Sequence, residues 1–233
     1  TSIKNKGSSL CVTNYPVAPG TQVTVVVRPL PNAALAGGTT VCLNAPQPPV
    51  TFTGSNGVGE YTINYTINGT AQTPITTTGG TITLNAPTNV PGTFIYEVTS
   101  IREGSPETCG RNYPLGTITT TVIVKPLPTA SMVRSTAAVC LNAPSPTITF
   151  TGTTGTPAYT FSYTIDDGSG PGPVQTISSG AASSISLNVP TTVAGTFTYT
   201  LLSVQEGSAN ACITTGINTT QTVTVNPIPN AAI

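Results

Sequence analysis

Histidine and tryptophan are missing from this chain, methionine occurs once in 233 residues, and only 6% of residues carry charge. Each shortage removes a class of function. Without histidine the commonest general base is gone, and with it a common zinc ligand. Seven basic side chains balance seven acidic ones, so no basic stripe exists to displace the counterions of a nucleic acid. The same scarcity leaves no Lys/Arg patch for a membrane surface. No apolar run approaches the ~20 residues of a spanning helix, so membrane insertion is not expected. No secretory leader opens the chain, which reads as mature, as an excerpt, or as both.

What is abundant is Thr, Ser and Asn, together with 23 Gly and 22 Pro. Low charge with much Gly and Pro also marks disordered chains. Here, however, apolar and polar residues alternate with a period of two, which a disordered chain has no reason to keep. Thr fits a strand, because its branched Cβ suits the pleat and its hydroxyl faces water. A Thr-rich, Lys-poor β protein is expected to work outside a cell.

One motif organises the chain. Val-Cys-Leu-Asn-Ala-Pro occurs at residues 41–46 and again at residues 139–144. The segments that follow also match. Val50-Thr51-Phe52-Thr53-Gly54 parallels Ile148-Thr149-Phe150-Thr151-Gly152. Tyr61-Thr62-Ile63-Asn64-Tyr65 parallels Tyr159-Thr160-Phe161-Ser162-Tyr163, and Gly92-Thr93-Phe94 parallels Gly195-Thr196-Phe197. A period of roughly one hundred residues is too long for a solenoid turn and fits one small β-sandwich. The chain therefore divides into repeats at residues 29–125 and 126–226. Residues 1–28 read as the last strands of a truncated repeat, and residues 227–233 as the first strand of a following one. The preferred explanation is a window on a longer polypeptide; the other is a subunit whose ends complement its neighbours.

The cysteines keep step with the repeat. Cys42 and Cys140 lie in the shared motif, and Cys109 and Cys212 lie six residues after Glu103 and Glu206. The simplest expectation is a disulfide inside each unit, Cys42 with Cys109 and Cys140 with Cys212, each closing a loop of about seventy residues and worth roughly 4 kcal/mol at most. Four reduced, buried thiols are the alternative. Cys11 belongs to the truncated repeat and is left unpaired by the truncation. Metal binding is not expected, since one thiolate pair per unit cannot close a tetrahedral site. Disulfides imply an oxidising, extracellular setting.

Strand assignments follow from the alternation. Tyr61, Ile63, Tyr65 and Ile67 share one face, as do Phe94, Tyr96 and Val98; Tyr159, Phe161, Tyr163, Ile165 and Phe197, Tyr199, Leu201 repeat the pattern. With turn signals every eight to twelve residues and no helical period, the expected fold is all-β, tandem immunoglobulin-like sandwiches forming an elongated rod. Units meet through Pro29-Leu30-Pro31, Pro126-Leu127-Pro128 and Pro227-Ile228-Pro229. Proline fixes φ, so these inter-domain linkers are expected to be semi-rigid.

The repeated pattern Pro-Leu-Pro, Val-Cys-Leu-Asn-Ala-Pro, Phe-Thr-Gly, Tyr-Thr-x-x-Tyr and Gly-Thr-Phe-x-Tyr resembles the PKD-like and Ig-like tandem repeats of giant Bacteroidota cell-surface adhesins. These include gliding-motility adhesins of the SprB kind, which are type IX secretion cargo. The resemblance implies a bacterial cell-surface location, a stalk or filament role in cell adhesion or gliding motility, and a secretion machinery as partner. It implies no catalytic residue and no cofactor. The remaining partners it suggests are further repeats of the same polypeptide and, at a distal tip, surface polysaccharide or other cells.

Chemistry is hard to build from these residues, and no enzyme is expected. The close acidic pairs, Glu103 with Glu107 and Asp166 with Asp167, do not recur in both units. Glu103 and Glu206 do recur; one carboxylate per unit is a poor calcium site and reads instead as a turn stabiliser. Asp166 and Asp167 read as a long hairpin turn. The aromatic rows read as core rather than as a sugar platform, while Tyr113, off the strand pattern, is expected to pack on a neighbouring unit. The leading function is a disulfide-stapled stalk segment. The alternatives are a glycan- or partner-binding module acting through inter-domain loops, and a self-assembling extracellular fibre subunit that pairs by strand complementation.

Overall fold

The computed structural model describes residues 27–57, 59–104 and 108–230. Cys11 and the strands expected in the truncated first repeat lie outside the described residues, as does the end of the last segment. Among the described residues every regular element is a strand. The first ten are β1 (Asn32–Ala36), β2 (Thr39–Cys42), β3 (Pro49–Ser55), β4 (Tyr61–Ile67), β5 (Thr70–Ala71), β6 (Ile75–Thr76), β7 (Thr81–Asn85), β8 (Gly92–Glu103), β9 (Gly110–Asn112) and β10 (Thr119–Lys125). Then come β11 (Thr129–Arg134), β12 (Ala138–Cys140), β13 (Thr147–Thr153), β14 (Thr160–Asp166), β15 (Gln175–Ser178), β16 (Ser184–Asn188), β17 (Gly195–Gln205) and β18 (Ile213–Asn226).

They form four sheets, ordered β1-β3-β7 and β2-β10-β8-β4-β5, then β11-β13-β16 and β12-β18-β17-β14-β15. Each small sheet faces a large one across its own core. Val50 and Phe52 of β3 meet Ile63, Tyr65, Tyr96, Val98 and Val122 of the large sheet. Ile148 and Phe150 of β13 meet Phe161, Tyr163, Tyr199, Leu201 and Val223 in the second core. Phe52 and Tyr65 touch edge to face at 5.0 Å, and Phe150 and Tyr163 pack at 5.1 Å. Burying each Phe contributes about 1.5–3 kcal/mol. The aromatic rows thus point inward, because a period of two on a half-buried strand has one dry face.

Two sequence motifs now have a physical reason. In Phe-Thr-Gly, a Cβ on Gly54 would overlap the Tyr61 ring, and one on Gly152 the Tyr159 ring. Only glycine lets the tyrosine lie flat against β3 or β13. In Val-Cys-Leu-Asn-Ala-Pro, Asn44 and Asn142 each take a left-handed φ of 61°, which Asn tolerates in turns. The turn closes through Ala45 N–H to Cys42 O (3.0 Å) and Ala143 N–H to Cys140 O (3.1 Å). The motif also grips the last strand of its unit. β2 runs parallel to β10, with Cys42 opposite Lys125, and β12 runs parallel to β18, with Cys140 opposite Asn226.

A β-bulge in each unit resets the alternation. Asn64 pairs with Ser100 but Tyr65 with Val98, leaving Thr99 extra; Ser162 pairs with Ser203 but Tyr163 with Leu201, leaving Leu202 extra. One extra residue swaps the faces of the strand beyond it. Inward positions therefore shift from Tyr96 and Val98 to Ile101 and Glu103, and from Tyr199 and Leu201 to Val204 and Glu206. Simple alternation from Phe94 would have turned Glu103 out to water.

Candidate functional site: a bridged junction between the sandwiches

The cysteine pairing differs from the expected one. Cys42 bonds to Cys212, 170 residues away, with Cα atoms 5.6 Å apart. The pairs expected within units, Cys42 with Cys109 and Cys140 with Cys212, do not form, and sheet register says why. Cys42 lies beside Lys125, whose neighbour Val124 pairs with Gly92 at the start of β8. Cys109 lies at the other end of β8, where its carbonyl accepts from Glu103 N–H at 3.0 Å. A strand of 12 residues separates the two positions by roughly 35 Å. A disulfide needs Cα atoms within about 7 Å. β17 holds Cys140 and Cys212 apart in the same way, since Gly195 pairs with Val225 beside Cys140 while Glu206 N–H donates to Cys212 O. Cys140 is an exposed free thiol and Cys109 is half-buried.

The bridge falls where the chain itself crosses between units. Lys125, opposite Cys42, is followed by Pro126-Leu127-Pro128 and then β11. Pro126 is exposed and Pro128 buried, and Pro29 and Pro31 repeat that pattern. Thr214 Oγ1 donates to Pro128 O, seating the linker on β18. Asn210 Nδ2 donates to Thr40 O at 2.6 Å, tying the loop before Cys212 to β2 of the first unit. Lys125 Nζ reaches Glu206 Oε1 at 3.8 Å. Main chain, disulfide, hydrogen bond and ion pair therefore all cross the same junction.

Glu206 organises this site. It is 3% exposed. Oε2 accepts from Thr156 N–H at 2.8 Å and Oε1 from Ser208 Oγ at 2.6 Å. Burial pushes its carboxyl pKa upward, but the Ser208 and Thr156 hydrogen bonds and the Lys125 charge outweigh that, leaving it below the ordinary value. Gly155 leaves room for the carboxylate, since a Cβ there would sit 2.8 Å from Oε2. The Glu206 N–H donates to the Cys212 carbonyl at 3.0 Å and closes the loop that presents Cys212. Glu103, also 3% exposed, repeats the arrangement: its carboxylate lies against Gly57, and it lines one hollow with Arg28 and Pro29 of the preceding linker. Both oxygens of Glu206 are committed to protein donors, which fits a turn stabiliser rather than a calcium ligand. Among the described residues no cluster of three His, Cys, Asp or Glu is placed to hold a metal.

Other residues singled out in the sequence have local duties. Asp166 Oδ1 accepts from Gly168 and Gly170 N–H at 2.8 and 3.1 Å, and Asp167 Oδ1 accepts from Ser169, so both carboxylates shape the turn after β14. Tyr113 serves its own unit, contrary to the expectation that it packs on a neighbour. Its hydroxyl accepts from Ala33 N–H at 2.7 Å and donates to Asn32 Oδ1 at 3.2 Å, joining the loop after β9 to β1. Asn210 and Thr214 belong to no motif shared by the two units. Nothing flags Asn210, since the matching residue of the first unit is Glu107.

Among solved structures, the chain is similar to a marsupial T cell receptor, with TM-score 0.51 and 13% identity over 87% of this chain and 75% of that one. Fibronectin(III)-like modules of Clostridium thermocellum CbhA match with TM-score 0.31 and 14% identity over 84% of this chain and 95% of theirs. The human OSCAR ligand-binding domain matches with TM-score 0.32 and 10% identity over 86% and 100%. No family model and no curated protein matches. The T cell receptor likeness shows the fold, an immunoglobulin-like β-sandwich architecture. An Ig-like module carrying a disulfide suits an oxidising, extracellular setting, and among the described residues no helix is long and apolar enough to cross a membrane.

Proposed function

We propose that the chain is a stalk segment of a large bacterial cell-surface adhesin, an elongated rod of sandwiches locked together at their junctions. The observation that carries this reading is the Cys42–Cys212 bridge across the junction that Pro126-Leu127-Pro128 also spans. One short proline link restrains bending; a second covalent tie removes most of the remaining freedom. The mechanism is mechanical. Tension entering before Cys42 passes through the sulfur bridge to Cys212, and the 170-residue stretch between them bears no load. The likeness of the repeats to Bacteroidota surface adhesins supports the bacterial surface as its place and adhesion or gliding as its use.

Single-molecule pulling from the chain ends tests the proposal. Oxidised protein should withhold the residues between the two cysteines, and reduction should release them in one gain of about 600 Å, at ~3.5 Å per residue. An unchanged contour after reduction, or two separate gains of about seventy residues each, would sink it. Small-angle scattering tests the rod. Two sandwiches end to end, each spanned by one long strand, give a maximum dimension of roughly 80 Å; a value near 50 Å means side-by-side packing.

A further inference from the structure

We infer that Cys140 is one half of a second inter-unit disulfide, and that its partner is the loop cysteine, equivalent to Cys212, of a further repeat seated beyond β18. The inference rests on the stalk reading and extends it from one staple to a ladder.

Cys140 is presented as Cys42 is. Leu141 N–H donates to Asn226 O at 2.8 Å, as Leu43 N–H does to Lys125 O at 2.8 Å. Asn142 N–H donates to Thr191 O at 2.8 Å, as Asn44 N–H does to Thr88 O at 2.8 Å. Thr191 Oγ1 donates to Ala143 O at 2.8 Å, and Thr88 Oγ1 to Ala45 O at 2.7 Å. The same frame holds a bonded cysteine in the first unit and an exposed thiol in the second. The chain also leaves β18 as it leaves β10, with Asn226-Pro227-Ile228-Pro229 in place of Lys125-Pro126-Leu127-Pro128. A unit on that path arrives with its Glu-Gly-Ser loop beside Cys140.

Chemistry at the second staple balances simply. Two thiols lose two protons and two electrons as the Sγ–Sγ bond forms. A disulfide oxidant such as glutathione disulfide takes both and leaves as two thiols. Cys140 lies inside the stretch enclosed by Cys42 and Cys212, so successive bridges overlap and no junction is left without one. The ion pair is not repeated, because Asn226 stands where Lys125 does.

The test extends the full chain by one copy of residues 126–226 placed after Asn226, refolded in a glutathione redox buffer. Unreduced protein is treated with iodoacetamide and mapped by mass spectrometry. In the 233-residue chain Cys140 should be alkylated. In the extended chain it should be protected and linked to the loop cysteine of the added unit, while Cys42 remains linked to Cys212. Alkylation of Cys140 in the extended chain overturns the inference and leaves the stalk reading standing. A Cys140 linked between two separate chains also overturns it, by assigning the thiol to association. Loss of the Cys42–Cys212 link in both proteins overturns the stalk reading as well. Cys140→Ser in the extended chain should abolish only the second bridge.

Discussion

The two sandwiches were built from one pattern, yet they close differently. In the first unit the last strand is broken in two: β9 ends at Asn112, and Tyr113 and Pro114 carry the chain out before β10 begins at Thr119. Proline has no N–H to give the ladder, and the Tyr113 hydroxyl compensates by tying the loop to Ala33 and Asn32. In the second unit β18 runs unbroken for 14 residues, absorbing Gly216 and Asn218 at positive φ of 73° and 53°. What stays constant is the bulge that buries Glu103 and Glu206 and the turn that holds Cys42 and Cys140. The invariant parts lie at the unit ends, where neighbours meet. The broken and unbroken last strands serve their own units, while two variable residues, Asn210 and Lys125, add contacts across the one junction that has them.

Removing the bridge breaks the comparison most severely. Cys42→Ser or Cys212→Ser should lower thermal stability by up to about 5 kcal/mol shared between the units, from the loop-entropy relation for a loop of this length. Cys140→Ser in the same chain should leave the melting temperature unchanged. Next in size, Gly54→Ala and Gly152→Ala should each destabilise their own unit by about 1–3 kcal/mol by driving a methyl into a tyrosine ring. Denaturation of each variant should show one unit weakened and the other intact; equal weakening of both would mean the units do not fold separately.

Glu206→Gln should cost about 1–3 kcal/mol through its charge-assisted hydrogen bonds. The sign of its pH dependence is fixed by a carboxyl held below the ordinary value of 4.5. The stability it contributes is complete above about pH 4.5 and disappears as pH falls through the lower folded-state value. A wild-type minus Glu206→Gln stability difference that grows on acidification would contradict the site described here. At the alkaline end, burial first and then the Tyr163 charge push Tyr199 up to about 12. Its contribution is complete below the ordinary value of 10.0 and is lost as pH rises towards 12. The smallest effect is expected from Lys125→Ala, within about 1 kcal/mol, since a partly exposed ion pair is screened by water and salt. If it matches Glu206→Gln in size, the pair and not the hydrogen bonds holds the carboxylate.

Much was legible in advance because alternation and repetition are local signals. Tyr61, Ile63 and Tyr65 had to share a face, and Val-Cys-Leu-Asn-Ala-Pro had to do the same work twice. The cysteines recur in phase, and phase alone invited pairing within a unit. Sequence spacing does not say at which end of a strand a residue comes to rest. Pairing β2 parallel to β10 carried Cys42 to the exit of its unit, while antiparallel pairing of β9 with β8 kept Cys109 at the entrance. Bulges at Thr99 and Leu202 were equally hidden, because an extra residue in one strand is visible only against its partner.

The amino-acid sequence by itself determined an all-β chain of like-built sandwiches with dry aromatic cores, because side-chain periodicity and turn chemistry act over a few residues. Only the tertiary structure decided which sulfurs meet. Disulfide choice is a matter of a few ångströms between strand ends, and those ends are placed by sheet register, which no count along the chain contains.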